Sequence, residues 1–211
     1  MTSRMRRGGV SDRMNYTIVN SSLGRMLIAA TTKGIGWLGF GDTDAQAIEE
    51  IRSDYPDIEL TRDDGACERY ATPILEFLAG KAPFPAVPLD VIGTAFQRAV
   101  WDELCAIPVG ATRSYGEIAR RIGRPDAPRA TGAAVGANPV SLLIPCHRAL
   151  ASDGSLHNYR YGLARKRALL ELEGATFRAP KSRNCSSRWP CRAKFPELGA
   201  PSAQKPLRQS D

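Results

Sequence analysis

The chain has 211 residues, of which 43% are hydrophobic, and a formal net charge of +7. That length suits one domain of moderate size or two small ones with a real core. Without any run of about 18 apolar residues it has no membrane-spanning helix, and its basic N-terminus precedes no apolar signal core, so a soluble cytoplasmic protein is expected. Five cysteines, at 67, 105, 146, 185 and 191, form no C-x-x-C pair, and the only histidines are His147 and His157. This argues against a disulfide framework or a zinc site and for reduced thiols, with no metal or cofactor expected.

The charge is unevenly spread. Residues 15–110 hold seven Lys/Arg and fourteen Asp/Glu, whereas 111–170 hold ten and three. Residues 1–14 and 178–211 carry +3 and +6. The second half of the folded part therefore suits a phosphate backbone and the first half does not, although a solvated basic face has the same signature.

In chain order, Tyr16-Thr-Ile-Val19, Met26 to Ala30 and Ile35 to Phe40 alternate between turn signals and predict a three-stranded antiparallel meander over 15–41. Asp44 is placed to cap a helix through about 54, with Ala45, Ile48 and Ile51 at helical spacing. A second helix is expected over about 65–79, ending at Gly80. A proline-rich linker, 81–88, leads to a short strand near Leu89 to Ile92. Thr94 and Gln97 form a capping box for a helix to about 106, with Phe96, Val100, Trp101 and Leu104 as its buried stripe. Ser114 and Glu117 form a second box, and that helix stops at Gly123. After the turn at 124–127 a third helix runs from Pro128 to about Ala137, so the pair is a helix-turn-helix candidate. A last helix spans Leu163 to about Leu172. Residues 1–14 are expected to be a basic linker, and 178–211, with Cys185 and Cys191, a disordered basic tail.

The chemistry concentrates in Ser141-Leu-Leu-Ile-Pro-Cys-His-Arg148, where a strand-like run delivers Cys146 through a proline turn. A cysteine becomes a nucleophile only when its surroundings favour the thiolate. On an extended backbone His147 points away from Cys146, so a water is needed to join them; taken alone, the pair also fits an inert buried thiol. The third helix, Arg129-Ala-Thr-Gly-Ala-Ala-Val-Gly-Ala-Asn138, carries small side chains and one arginine. A helix reading major-groove base edges carries several long polar residues; this one better suits a narrow groove, with Arg129 as a wedge into the base stack, or else a tightly packed core helix.

These stretches, with Gly93-Thr-Ala-Phe-Gln-Arg-Ala-Val-Trp101, Ser114-Tyr115, Gly136-Ala-Asn-Pro139 and Asn158-Tyr-Arg-Tyr-Gly162, resemble the 6-O-alkylguanine-DNA alkyltransferases over about residues 15–176. Within that family the chain most resembles the C-terminal half of the bacterial Ada-type adaptive-response protein. The resemblance implies an α+β fold: a ribonuclease-H-like antiparallel sheet with helices over 15–88, then a helical, winged helix-turn-helix-like DNA-binding and alkyl-acceptor domain over 89–177. It implies a single-turnover methylated-DNA–protein-cysteine methyltransferase, acting as a monomer on double-stranded DNA with alkylated bases. Cys146 resembles the alkyl acceptor, His147 the histidine that takes the thiol proton through water, Glu173 the carboxylate bonded to it, and Asn138 the brace below the recognition helix. Arg129 resembles the finger that replaces the flipped nucleotide. Tyr115 resembles the tyrosine that rotates its phosphate and bonds the guanine ring, Tyr159 and Arg160 the pocket wall, and the main chain at Cys146 and Ala149 the cradle of the exocyclic amine. Arg129, Ala130, Thr131, Ala134, Ser114 and Arg124 are expected to meet DNA.

Three features depart from the family pattern: His157 before the tyrosine loop, Gly116 at a helix start, and the tail after about 178. The first residues resemble the junction that follows the regulatory half of two-part relatives, so a methyltransferase half separated from its regulator is expected. A silent binder of alkylated DNA is the alternative, disfavoured by the presence of Cys146. A cysteine hydrolase is disfavoured because the one remaining histidine, His157, falls in the pocket loop.

Overall fold

The computed structural model describes residues 13–178. The expected basic linker lies outside the described residues except for Arg13 and Met14, which open the first strand. So does the expected tail, with Cys185 and Cys191, except for Arg178, which bridges to Ser155. Among the described residues no helix is long and apolar enough to cross a membrane.

The architecture is α+β, as the family resemblance implied. The meander forms as β1 (Arg13–Ser21), β2 (Gly24–Ala30) and β3 (Ile35–Gly41), paired antiparallel. Helix α1 (Asp44–Asp54) follows. Its cap is Thr43, whose hydroxyl accepts from the Gln46 amide, rather than Asp44, which instead pairs with Arg25. Next comes a strand that the sequence did not predict, β4 (Glu59–Arg62), lying parallel to β1 and completing the order β3-β2-β1-β4. Helix α2 (Asp64–Leu78) is capped by Asp63.

Side-chain alternation divides the sheet between two cores. Leu27, Ala29 and Trp37 face α1, with Ala47 and Ile51. Met26, Ile28, Leu38 and Phe40 face the other way, onto α2 and the second half of the chain. A register shift at Ala29/Ala30 skips one residue of β3, which lets Ile35 join the second core although Trp37 belongs to the first.

The second half is built on α3 (Ala95–Cys105), α4 (Tyr115–Arg121), α5 (Pro128–Gly136) and α6 (Leu163–Leu172). Both expected capping boxes are present, at Thr94/Gln97 and Ser114/Glu117. Gly123, with φ 71°, ends the α4 segment, and α5 follows as the second helix of the helix-turn-helix. The Trp101 indole donates to the Ala134 carbonyl at 2.9 Å and ties α3 to α5. Two-residue strands β5 (Arg113–Ser114) and β6 (Ala149–Leu150) pair in parallel beside the helices. The strand expected near Leu89 is only a bridge to Ile35.

The outer side of β3 is closed by two later segments of the chain. Ile35 pairs with the chain at Pro88 and Asp90, and Leu38 exchanges hydrogen bonds with Pro139 and Ser141. An open strand edge is thereby covered, and the segment that leads to Cys146 is fixed to the first half's sheet.

Candidate active site

Three devices hold the loop that carries Cys146. The Leu38 amide donates to Pro139 at 2.9 Å and the Ser141 amide donates to Leu38 at 3.0 Å. The Asn138 side chain accepts from the Val140 amide at 2.9 Å and donates to the Ile144 carbonyl at 2.8 Å, stapling both ends of the loop. Leu142 has φ 75°, the only left-handed non-glycine among the described residues, and is fully buried. Such a conformation costs about 1–3 kcal/mol and persists only where its surroundings impose it. The expected extended run is thus a turn that folds Ser141 back onto Ile144. Cys146–Arg148 continue as one 3-10 turn, so the strand geometry assumed from the sequence does not apply to Cys146 and His147.

Cys146 is 6% exposed. Its Sγ lies 3.9 Å from the Ser141 hydroxyl. Burial pushes the thiol above its usual range, opposed by hydrogen bonding from Asn138 and Ser141 and by the Lys166 charge. No hydrogen bond joins Cys146 to His147. The imidazole is completely buried, and its Nε2 is 3.0 Å from Glu173 Oε1. Burial holds His147 below its ordinary range despite that carboxylate, so the ring is neutral. With Nε2–H donating to Glu173, Nδ1 is left as an acceptor, and it makes no hydrogen bond among the described residues. Arg148 donates to both oxygens of Glu173, at 2.8 and 2.7 Å, and to Ile107 at 2.5 Å. Burial alone would raise the Glu173 carboxyl, but the hydrogen bonds from His147 and Arg148 prevail and hold it at about 2.

Lys166 is a component that sequence reasoning missed. It is fully buried on α6 and donates to the carbonyls of Ala149 at 2.6 Å and His157 at 3.0 Å. Burial lowers it to about 8, partly opposed by the Cys146 charge. The available signal was its spacing: Lys166 shares a helix face with the buried Leu169 and Leu170.

Above Cys146 opens a cavity of about 840 Å³. Its walls are Tyr115 and Gly116 of α4, Arg129, Gly132 and Gly136 of α5, and the loop from His157 to Arg160. Burial, then the Cys146 charge, pushes Tyr115 to about 12, so the phenol is a donor at neutral pH. Its ring meets His157 edge-on at 6.0 Å. Arg129 is exposed, one residue into α5. Tyr159 stacks edge-on against Tyr161, and among the described residues its buried hydroxyl makes no close hydrogen bond.

The other expected site residues divide between cavity, surface and core. Arg160 lines the cavity, but its guanidinium is bonded to Glu50 at 2.8 Å and Asp54 at 2.7 Å on α1, so its charge serves the loop's anchorage instead of facing a base. Ala149 is fully buried and its carbonyl already accepts from Lys166, leaving one lone pair for an incoming amine. Of the expected DNA-facing residues, Arg124, Arg129 and Ala130 are exposed, and Ser114 is engaged as the cap of α4. Thr131 and Ala134 are corrections: they are 0% and 4% exposed, on the inner face of α5, and cannot touch a duplex in this conformation.

A family model described as the DNA-binding domain of 6-O-methylguanine DNA methyltransferase matches residues 95–175. The chain is 45% identical over 150 residues to the inducible methylated-DNA–protein-cysteine methyltransferase of Bacillus subtilis, covering 69% of this chain and 82% of that one. It is 37% identical over 174 residues to the bifunctional transcriptional activator/DNA repair enzyme Ada of Escherichia coli, covering 82% of this chain but 49% of Ada, the extent expected of a match to one half. The crystal structure of a Mycobacterium tuberculosis alkyltransferase in complex with DNA superposes with a TM-score of 0.66 at 38% identity, covering 76% of this chain and 92% of that one.

Proposed function

The chain belongs to the family of methylated-DNA–protein-cysteine methyltransferases, and on that premise we propose that it repairs duplex DNA by moving the alkyl group of 6-O-alkylguanine onto its own Cys146. The observation that carries this assignment is the position of Cys146 at the base of the cavity, beside a buried neutral His147 whose free Nδ1 is set by Glu173.

A methyl group inside a duplex is out of reach of any side chain, so the base leaves the stack, at a few kcal/mol, less for a damaged pair. Arg129, exposed at the cavity rim, fills the gap in the stack, and the small faces of Gly132 and Gly136 let α5 approach the minor groove. The thiol proton passes through a water to His147 Nδ1, and the ionised Glu173 holds the resulting imidazolium. The thiolate attacks in line: the S–C bond forms, the C–O bond breaks, and the electron pair leaves on guanine. Tyr115, whose high pKa keeps it protonated, donates a hydrogen bond to the ring and lowers the cost of that charge. Tyr159 and the stem of Arg160 wall the pocket, and Asn138 fixes the loop beneath. The product is a thioether that no group in the site can cleave, so each molecule acts once, as a monomer in a reducing cytoplasm and without a cofactor.

Incubation with a duplex carrying a radiolabelled 6-O-methylguanine tests this reading. One label per chain on wild type and none on Cys146→Ala is expected. Repeated turnover, or label at another residue, would refute it. Tight binding of the alkylated duplex with no label transferred would favour the silent-binder alternative.

A further inference from the structure

Cys146 has a hydrogen-bonding partner that the reaction scheme above does not use. Ser141 is 2% exposed. Its amide is fixed to Leu38 of β3, and the left-handed Leu142 turns the chain so that the hydroxyl faces the sulfur at 3.9 Å, within the longer reach of a hydrogen bond to sulfur. The buried Tyr159 hydroxyl lies beside Ser141, whose hydrogen-bonding influence acts against the larger upward shift from burial. A serine hydroxyl has one proton to give and two lone pairs. Toward a thiol it can donate or accept; toward a thiolate it can only donate, leaving a lone pair for the tyrosine.

We propose that Ser141 is a further catalytic residue: its hydroxyl donates a hydrogen bond to the Cys146 thiolate while accepting one from Tyr159. The proposal rests on Cys146 being the acceptor. The other groups facing this sulfur are the Asn138 amide, Lys166 on α6, Tyr115 on α4 and Tyr159 and Tyr161 on the pocket loop, with His147 next in sequence. Lys166 supplies charge, but among the described residues its hydrogen bonds go to the carbonyls of Ala149 and His157. The tyrosines become anionic only at strongly alkaline pH. Asn138 and Ser141 are therefore the neutral donors present throughout the working pH range, and of the two Asn138 already donates to the Ile144 carbonyl, whereas the Ser141 hydroxyl is directed at the sulfur. No proton leaves it: the thiol proton goes to His147, and the serine hydrogen bond strengthens as the sulfur becomes charged, which favours ionisation. It weakens again as sulfur gives its electron pair to the alkyl carbon, so part of the ground-state gain is lost in the transition state. Lower thiol pKa and lower nucleophilicity go together.

That trade-off gives a signature that a packing role lacks. Single-turnover transfer from methylguanine duplex is measured from neutral to alkaline pH for wild type, Ser141→Ala, Ser141→Thr and Ser141→Val. Loss of the hydroxyl in Ala and Val should move the midpoint of the pH–rate profile up by about one unit, equivalent to one hydrogen bond to a charged group, and slow transfer about tenfold near neutrality. Their alkaline plateau should match or exceed that of wild type. Thr, isosteric with Val but hydroxylated, should restore the wild-type midpoint, which keeps the comparison valid even where Ala loosens the loop. Coincident midpoints across the series, or a lowered plateau with no shift, would overturn the proposal while leaving Cys146 as acceptor. Absence of label on Cys146 in wild type would instead overturn the acceptor assignment, and this proposal with it.

Discussion

Replacing Glu173 with glutamine separates charge from shape at the centre of the site. The variant keeps the volume and one carbonyl acceptor but removes the negative charge that pairs with Arg148 and receives the His147 hydrogen bond. The carboxyl sits at about 2 in the fold against an ordinary 4.5, and the carboxylate side chain is 0% exposed, so the interaction contributes about 3 kcal/mol. Leaving Arg148 buried without a counter-charge costs about the same, in the range of about 3–5 kcal/mol, and the two figures describe one loss. Because the folded value is depressed, the stabilisation is complete above about 4.5 and disappears as pH falls toward 2. Urea unfolding monitored by tryptophan fluorescence should show Glu173→Gln about 3 kcal/mol less stable at neutral pH, with the gap closing steadily below about pH 4.5. A gap under about 1 kcal/mol at neutral pH, or one that persists undiminished in acid, would refute the pairing as described. Methyl transfer by the folded variant should also slow, because glutamine orients the imidazole without stabilising its cation.

Arg129→Ala should slow repair of duplex substrate by about tenfold or more and leave single-stranded substrate nearly unchanged, as expected for a wedge that offsets unstacking; equal losses on both, in parallel single-turnover assays, would contradict that role. Lys166→Met should slow alkylation of Cys146 near neutrality, and the difference from wild type should shrink above pH 8, where Lys166 itself loses its charge; a pH–rate comparison reads this directly. Glu50→Gln with Asp54→Asn removes both counter-charges that hold Arg160 against α1. Part-exposed pairs of this kind are worth no more than about 1 kcal/mol each, so denaturant stability should barely change, whereas transfer rates from bulky alkyl groups should change more than those from methyl.

The parts of this protein legible in its sequence are those written in local chemistry. Thr94 with Gln97 and Ser114 with Glu117 are reciprocal caps whose atoms meet as their spacing implies. The meander was visible because β2 alternates between two apolar cores. β4 was not, because Glu59–Arg62 is four mainly exposed residues held by pairing with β1 and offers no hydrophobic pattern. The run before Cys146 misled for the opposite reason. From Leu142 to Ile144 it is apolar and buried on all sides, so nothing in its periodicity separates a strand from a turn forced through Leu142. On α5, side chains of similar small size conceal which face is inward, so the sequence points Thr131 and Ala134 toward DNA although both are buried on the inner face. The candidate site was legible at Cys146, His147 and Glu173 through resemblance. Ser141, Lys166 and the acids that hold Arg160 act through contacts distant in sequence or around a turn, which no local pattern encodes.

The pocket loop is held from far upstream. Arg160 reaches Glu50 and Asp54, and five residues later Arg165 reaches the carbonyls of Leu23 and Gly41. A gene fragment limited to the helical half would keep every residue of the acceptor scheme and still lose the first-half partners of both arginines, together with the strand edge that fixes the Cys146 loop. Chimeras that exchange the first half between relatives should therefore transmit or disrupt repair according to whether the acids on α1 travel with the loop they hold, and swapping one without the other should alter substrate range before it alters folding.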